Sequence, residues 1–160
     1  MRRRDFVAGA FIATAWGATG PTSAQNKPRA PSIAIVAVAT KIEDITINGV
    51  PAFKGYFSEL KRLGYVEGTN LAVERYSALG QMDRFQDIAQ TAVERAPDLL
   101  VTWSIAIGLQ LKSLTTTIPI VVSVADPVAA GLVSNLGRPE ANVTGVSTDA
   151  GRVPGGGVAR

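Results

Sequence analysis

The run Ile118 to Val124 is apolar apart from Pro119 and Ser123, and it stops at Ala125-Asp126-Pro127. A carboxylate at the end of a core strand has two uses. It caps the backbone N–H groups of the turn or helix that Pro127 begins, or it holds a ligand ammonium. Other apolar runs end in the same manner, at Ala39-Thr40-Lys41, Tyr76-Ser77 and Thr102-Trp103-Ser104. Hydroxyls at such places, next to the free N–H groups of a helix start, favour anionic groups such as a carboxylate. Ser104 reads first as a helix cap, with contact to a ligand carboxylate as a second use. Trp103 either stacks on an apolar ligand or fills the core. Asn142-Val143-Thr144 matches a glycosylation sequon, but Asn142 reads as a turn residue.

What is absent narrows the chemistry. The sequence has no Cys and no His. Thiolate nucleophiles, disulfides, Ser-His-Asp triads and His/Cys zinc sites are thereby excluded. No D-x-D-x-D-G run supports a carboxylate site for Mg²⁺ or Ca²⁺. No G-x-G-x-x-G follows the first strand, and no G-x-x-x-x-G-K-[ST] occurs anywhere, so neither a dinucleotide nor a P-loop cofactor is expected. A receiver domain would need an acidic pair after its first strand, where this chain has Ala39-Thr40. The formal charge is +3, but residues 1–24 hold three Arg and one Asp, which leaves about +1 for the rest. With no Lys/Arg stripe carrying interleaved aromatics, no nucleic-acid partner is expected.

The elements that must position these residues alternate. Ile33–Ala39 is a short, β-branched apolar run, the pattern of a strand buried on both faces. Val50, Phe53, Tyr56, Phe57, Leu60 and Leu63 recur at helical spacing, with Pro51 in the first turn and Gly64 at the C-terminal end. Leu71–Tyr76 alternates apolar and polar, as a strand near the sheet edge does. Met82–Asp98 predicts a second helix capped by Asp83 and closed by Pro97. Asp98–Trp103 predicts a third strand, Ser104–Leu114 a third helix, Ile118–Val124 a fourth strand, Pro127–Leu136 a short fourth helix, and Asn142–Val146 a fifth strand. Strict alternation with apolar strands implies an α/β, doubly wound parallel sheet. In such a sheet ligands bind beyond the carboxyl ends of the strands.

The two ends differ from this middle. Arg2-Arg3-Arg4 precede a mostly apolar stretch, Phe6–Ala18, too short to span a bilayer, and Thr22-Ser23-Ala24 puts small residues before a cleavage point. Residues 1–24 therefore read as a signal peptide and 25–149 as the folded α/β lobe. Arg3-Arg4-Asp5-Phe6 leaves both the twin-arginine and the general export route open. Gly151–Arg160, with three consecutive glycines, opposes both helix and strand. Residues 150–160 read either as a natural flexible terminus or as a truncated or frameshifted ending.

Two stretches carry a resemblance. "LKRLGYVEGTNLAVERYSALGQMDRFQDIA" and "TTTIPIVVSVADPVAAGLVSNLGRPEANVTGVS" resemble hallmark segments of the periplasmic ABC-transporter substrate-binding proteins, the family that includes tryptophan- and branched amino-acid-type binders. The resemblance covers residues 1–149. It implies a type I periplasmic-binding fold, in which two α/β lobes hold a small solute in the cleft between them and a membrane permease reads their closure. Such proteins are usually about twice this length, so it implies a first lobe with the second lobe missing. Carried over by position, the ligand-binding residues are Ala39, Thr40, Thr102, Trp103, Ser104, Ala125 and Asp126. The family's loop after the first strand is serine- and glycine-rich, whereas here it is VATKIED, and its RPGGN is RPEAN. The implied function is an exported, periplasmic solute-binding component of an ABC importer. It captures an amino-acid-like solute without catalysis, cofactor or metal, as a monomer that partners a permease. A non-functional gene fragment and a doubly wound cofactor-binding or enzyme domain are the alternatives.

Overall fold

The computed structural model describes residues 29–137 and 141–148. The expected signal peptide and glycine-rich tail lie outside the described residues. Five parallel strands form one sheet in the order β2-β1-β3-β4-β5, where β1 is Ser32–Ala37, β2 Ala72–Ser77, β3 Leu99–Thr102, β4 Ile120–Val124 and β5 Val143–Ser147. The apolar run at Ile33 becomes the central strand, and every residue of β1 is buried. The alternating run at Leu71 becomes the edge strand β2, as its polar face predicts.

Among the described residues three α-helices cover the sheet: α1 (Pro51–Arg62), α2 (Phe85–Glu94) and α3 (Ile105–Leu114). Helix α1 lays Phe53 and Phe57 against Ile33, Ile35, Ala37 and Val101 on one face. On the other face α2 contributes Ile88, Ala89 and Ala92, and α3 contributes Ile107 and Leu111, against Ala34, Val36, Leu100 and Val122. Each large aliphatic side chain buried there contributes about 1.5–3 kcal/mol. Gly108 lets α3 approach closely, since a Cβ would meet Leu132 Cδ2 at 2.9 Å.

Helix α1 begins with Pro51 at its N-terminus. It ends at Gly64, whose φ of +90° lets Tyr65 N–H return to Leu60 O and Gly64 N–H to Lys61 O. Gly55 is different, because an added Cβ would meet nothing within 4 Å. Gly55→Ala is therefore expected to stabilise the fold by about 0.5–1 kcal/mol, read from the urea midpoint.

Three local expectations are corrected. Pro127–Leu136 forms no helix. Asp126 Oδ1 accepts the N–H groups of Val128 and Ala129, and Ala130 N–H reaches Asp126 O. The backbone then turns through Gly131 at φ +71°, and Leu132 and Val133 donate back to Pro127 O. One turn forms, and the left-handed glycine stops it so that Leu132 and Val133 can enter the core. Asp83 does not cap α2. It lies in a 3₁₀ turn, Met82–Arg84, that runs directly into the helix, so Arg84 holds the cap position. Asn142 is more than a turn residue. Its side-chain amide donates to Thr115 O at 3.0 Å and Ile118 O at 2.8 Å, which ties the start of β5 to the start of β4.

Below the sheet, Asp98 joins β3 to β1. Its carboxylate accepts Ser32 N–H at 2.7 Å and the Ser32 hydroxyl at 2.8 Å, and it pairs with Arg29. The Ser32 backbone N–H, then the Ser32 hydroxyl, hold the carboxyl below its ordinary value against a weaker desolvation effect, with Arg29 adding to the same direction. A carboxyl with a depressed folded pKa stabilises above the unfolded value, about 3.9, and loses that contribution as the pH falls through its folded value. Asp98→Asn is thus expected to melt below the wild type at neutral pH. The gap should close as the pH falls below about 4, which thermal melts across pH would show.

Candidate functional site

The strand order fixes where a ligand can enter. It reverses between β1 and β3, so the chain leaves β1 for α1 on one face and leaves β3 for α3 on the other. The two departures open a crevice at the carboxyl ends of these strands. A cavity of about 320 Å³ lies there. Ala37 to Thr40 supply one side, Val50, Ala52 and Phe53 at the start of α1 supply a second, and Thr102-Trp103-Ser104 supply the third.

Five of the seven expected residues, Ala39, Thr40, Thr102, Trp103 and Ser104, line this cavity together. Ala125 and Asp126 do not. They sit beyond β4, where Ala125 O accepts the Ser147 hydroxyl and the Asp126 carboxylate faces its own turn. The structure therefore displays Asp126 as a cap. Asn can offer the same acceptor, so Asp126→Asn is expected to leave stability nearly unchanged. Asp126→Ala should cost about 1 kcal/mol in urea unfolding.

The cavity has a polar end and an aromatic wall. Thr102 is fully buried, and its hydroxyl accepts Ser104 N–H at 3.2 Å. The Ser104 hydroxyl accepts Ile107 N–H at 3.4 Å, the expected cap of α3. Ile105 and Ala106, in the same first turn, keep N–H groups that have no intrahelical partner. Trp103 is half-buried, neither a sealed core residue nor a free one. It meets Phe53 edge-on at 4.9 Å between ring centroids and Tyr56 at 5.4 Å. Burial pushes the Tyr56 phenol above its ordinary value, so it is neutral at physiological pH.

Among the described residues no ionisable side chain lines the cavity. Its hydroxyls, amides and rings can bind and orient a small molecule. Among the described residues no group of three or more Asp or Glu stands ready for a metal ion. The wall from α1 was not anticipated as part of the site. The only signal for it was the apolar spacing of Val50 and Phe53, which marks a buried helix face without saying what that face meets.

The sequence profile of the ABC transporter substrate-binding proteins matches residues 35–154. The chain belongs to that family. It is 36% identical over 97 residues to a tyrosine-binding protein of Clostridioides difficile (strain R20291), an alignment covering 60% of this chain and 28% of that one. Among solved structures, a conserved domain protein from Vibrio cholerae superposes with a TM-score of 0.64 at 34% identity, covering 74% of this chain. The ligand-free, open structure of a substrate-binding protein with adhesive properties from Clostridium difficile gives 0.63 at 29% identity, covering 73% of this chain. A third, an ABC domain in complex with L-Trp from Streptococcus pneumonia, gives 0.62 at 24% identity over 73% of this chain and supports the fold alone. The chain spans 38% of the length of each of these structures. The chain thus corresponds in extent to one α/β lobe, as the one five-stranded sheet among the described residues also indicates. Its relatives are substrate-binding proteins and not enzymes.

Proposed function

We propose that this chain supplies one wall of the solute site of an ABC importer's binding protein, and that the solute is an amino acid with an aromatic side chain. The observation that carries the reading is the crevice between β1 and β3, with an aromatic wall on one side and a helix start on the other. The free N–H groups of Ile105 and Ala106, with the hydroxyls of Thr40 and Ser104, suit a ligand carboxylate. Trp103 and Phe53 offer a ring surface to an apolar or aromatic side chain. Among the described residues no carboxylate lines the cavity, so on this wall the ligand ammonium is left to backbone carbonyls and water. The tyrosine-binding relative supports the choice of solute. Residues 1–24 act as an export signal in this reading, the protein works in the periplasm as a monomer, and a membrane permease is its partner.

One wall buries only one side of a small ligand. Affinity for the chain alone is therefore expected near the millimolar level, about −4 kcal/mol. Isothermal titration of the full chain with L-tyrosine, L-tryptophan and L-leucine tests this. Saturable heat with the two aromatic amino acids, and weaker heat with L-leucine, is the expected result. No saturable heat with any of the three up to about 10 mM would overturn the reading.

A further inference from the structure

We infer that Arg75 is a positioning residue for the crevice, a clamp that holds the loop between β1 and α1 in place from beneath. The inference rests on the reading of the crevice as a solute site. That loop, residues 38–50, supplies cavity lining at both ends: Val38, Ala39 and Thr40 at one, Val50 at the other. Between residues 39 and 49 its own hydrogen bonds are three short backbone turns, from Asp44 to Lys41, Ile45 to Ile42 and Gly49 to Thr46. Only Ile45 in this stretch is buried. Short turns of this kind do not by themselves fix where a loop sits on a sheet.

Arg75 lies on β2, thirty residues further along the chain. Its Nε donates to Ile45 O at 2.7 Å. Among the described residues this is the one hydrogen bond that reaches residues 39–49 from outside. The guanidinium is itself fixed. Nη1 and Nη2 form a fork on the Glu67 carboxylate at 2.7 and 2.6 Å, and Nη1 also donates to Val73 O at 3.2 Å. The group stands over the Phe57 ring at 5.4 Å, and the Arg75 side chain is only 14% exposed. A planar cation held on three sides leaves Nε pointing in one direction. The buried Ile45 side chain and the bonded Ile45 carbonyl therefore pin the middle of the loop, while its first residue is held separately, where Val38 O accepts Gly80 N–H at 2.8 Å. Ala39 and Thr40, which line the cavity, lie between the Val38 bond and that pin, and Val50 lies between the pin and α1.

The test is amide exchange on the full chain, with no ligand needed. In Arg75→Gln the amides of Asp44, Ile45 and Gly49 should exchange about tenfold faster than in the wild type, with a smaller change at Ile35 and Val101 in the sheet. Arg75→Lys, which keeps the charge but only one donor head, should fall between the two. Equal acceleration in loop and sheet, or none in the loop, overturns the clamp. If Arg75→Gln fails to fold, Glu67→Gln loosens the fork with Arg75 intact. The same three amides should then accelerate by a smaller factor, and no change there overturns the clamp equally. Titration with L-tyrosine reads the consequence, an affinity weakened about tenfold in Arg75→Gln. Unchanged affinity beside a loosened loop removes the role in the site. Absence of binding by the wild type would sink the solute reading, while the exchange pattern still judges the clamp.

Discussion

Trp103→Ala is expected to weaken both the fold and the site. The indole packs edge-on against Phe53 and Tyr56 and joins the cluster that seats α1 on the sheet. Truncation removes that surface and leaves a gap between the helix and β3. The cost should be about 3 kcal/mol, toward the lower end for an aromatic residue because Trp103 is half-buried. About 1 kcal/mol of this is the loss of each edge-on pair. Against a total stability of about 5–15 kcal/mol for a domain of this kind, that is a large fraction. Urea unfolding should show a lower midpoint at an unchanged slope. The same substitution strips the aromatic wall of the crevice, so L-tyrosine binding should fall at least about tenfold. Trp103→Phe should keep most of both. If Trp103→Ala bound L-tyrosine as the wild type does, Trp103 would be a core residue only.

Gly49→Ala should act on the site more than on the sheet. A Cβ at Gly49 would stand 1.8 Å from the carbonyl oxygen of Asp44 and 2.6 Å from its carbon. Both are backbone atoms, so no side chain can swing aside. The Gly49 N–H to Thr46 O turn must open, and Val50 must move with it. Val50, Ala52 and Phe53 then leave their places along the cavity. The expected cost is about 3 kcal/mol, at the upper end of overpacking effects. Isothermal titration should show solute binding lost beyond the millimolar range, while far-ultraviolet circular dichroism still shows the α/β sheet. Retained binding would mean that the start of α1 does not form part of the site.

The fold was legible because its strands are loud. Ile33–Ala37 is continuous and apolar, which only a doubly covered central strand tolerates, and the polar alternation from Leu71 marked an edge. The helices showed themselves through 3.6-residue spacing and through Pro51, Gly64 and Ser104 at their ends. Pro127–Leu136 misled because its spacing also suits a helix. The deciding facts were local, the Asp126 cap and the left-handed Gly131.

The crevice was half legible. Strand ends announce themselves as polar stops after apolar runs, which brought Ala39, Thr40, Thr102, Trp103 and Ser104 into view. The same signal cannot say which strand ends converge. That depends on strand order, and β4 lies one strand too far from the reversal for Ala125 and Asp126 to line the cavity. The Arg75 clamp was invisible for a related reason. Its bond to Ile45 spans thirty residues, and no local spacing encodes such a contact.

A solute is expected to sit between β1 and β3 at their carboxyl ends. Amide chemical shifts of the full chain, titrated with L-tyrosine, test it most directly. Saturable shifts at Thr40, the Trp103 indole, Ser104 and Ile105, with Val128 and Ala129 still, are the predicted result. Shifts centred instead on the Asp126 turn, or in the separate hollow lined by Phe57, Tyr65 and Leu71, would contradict the account.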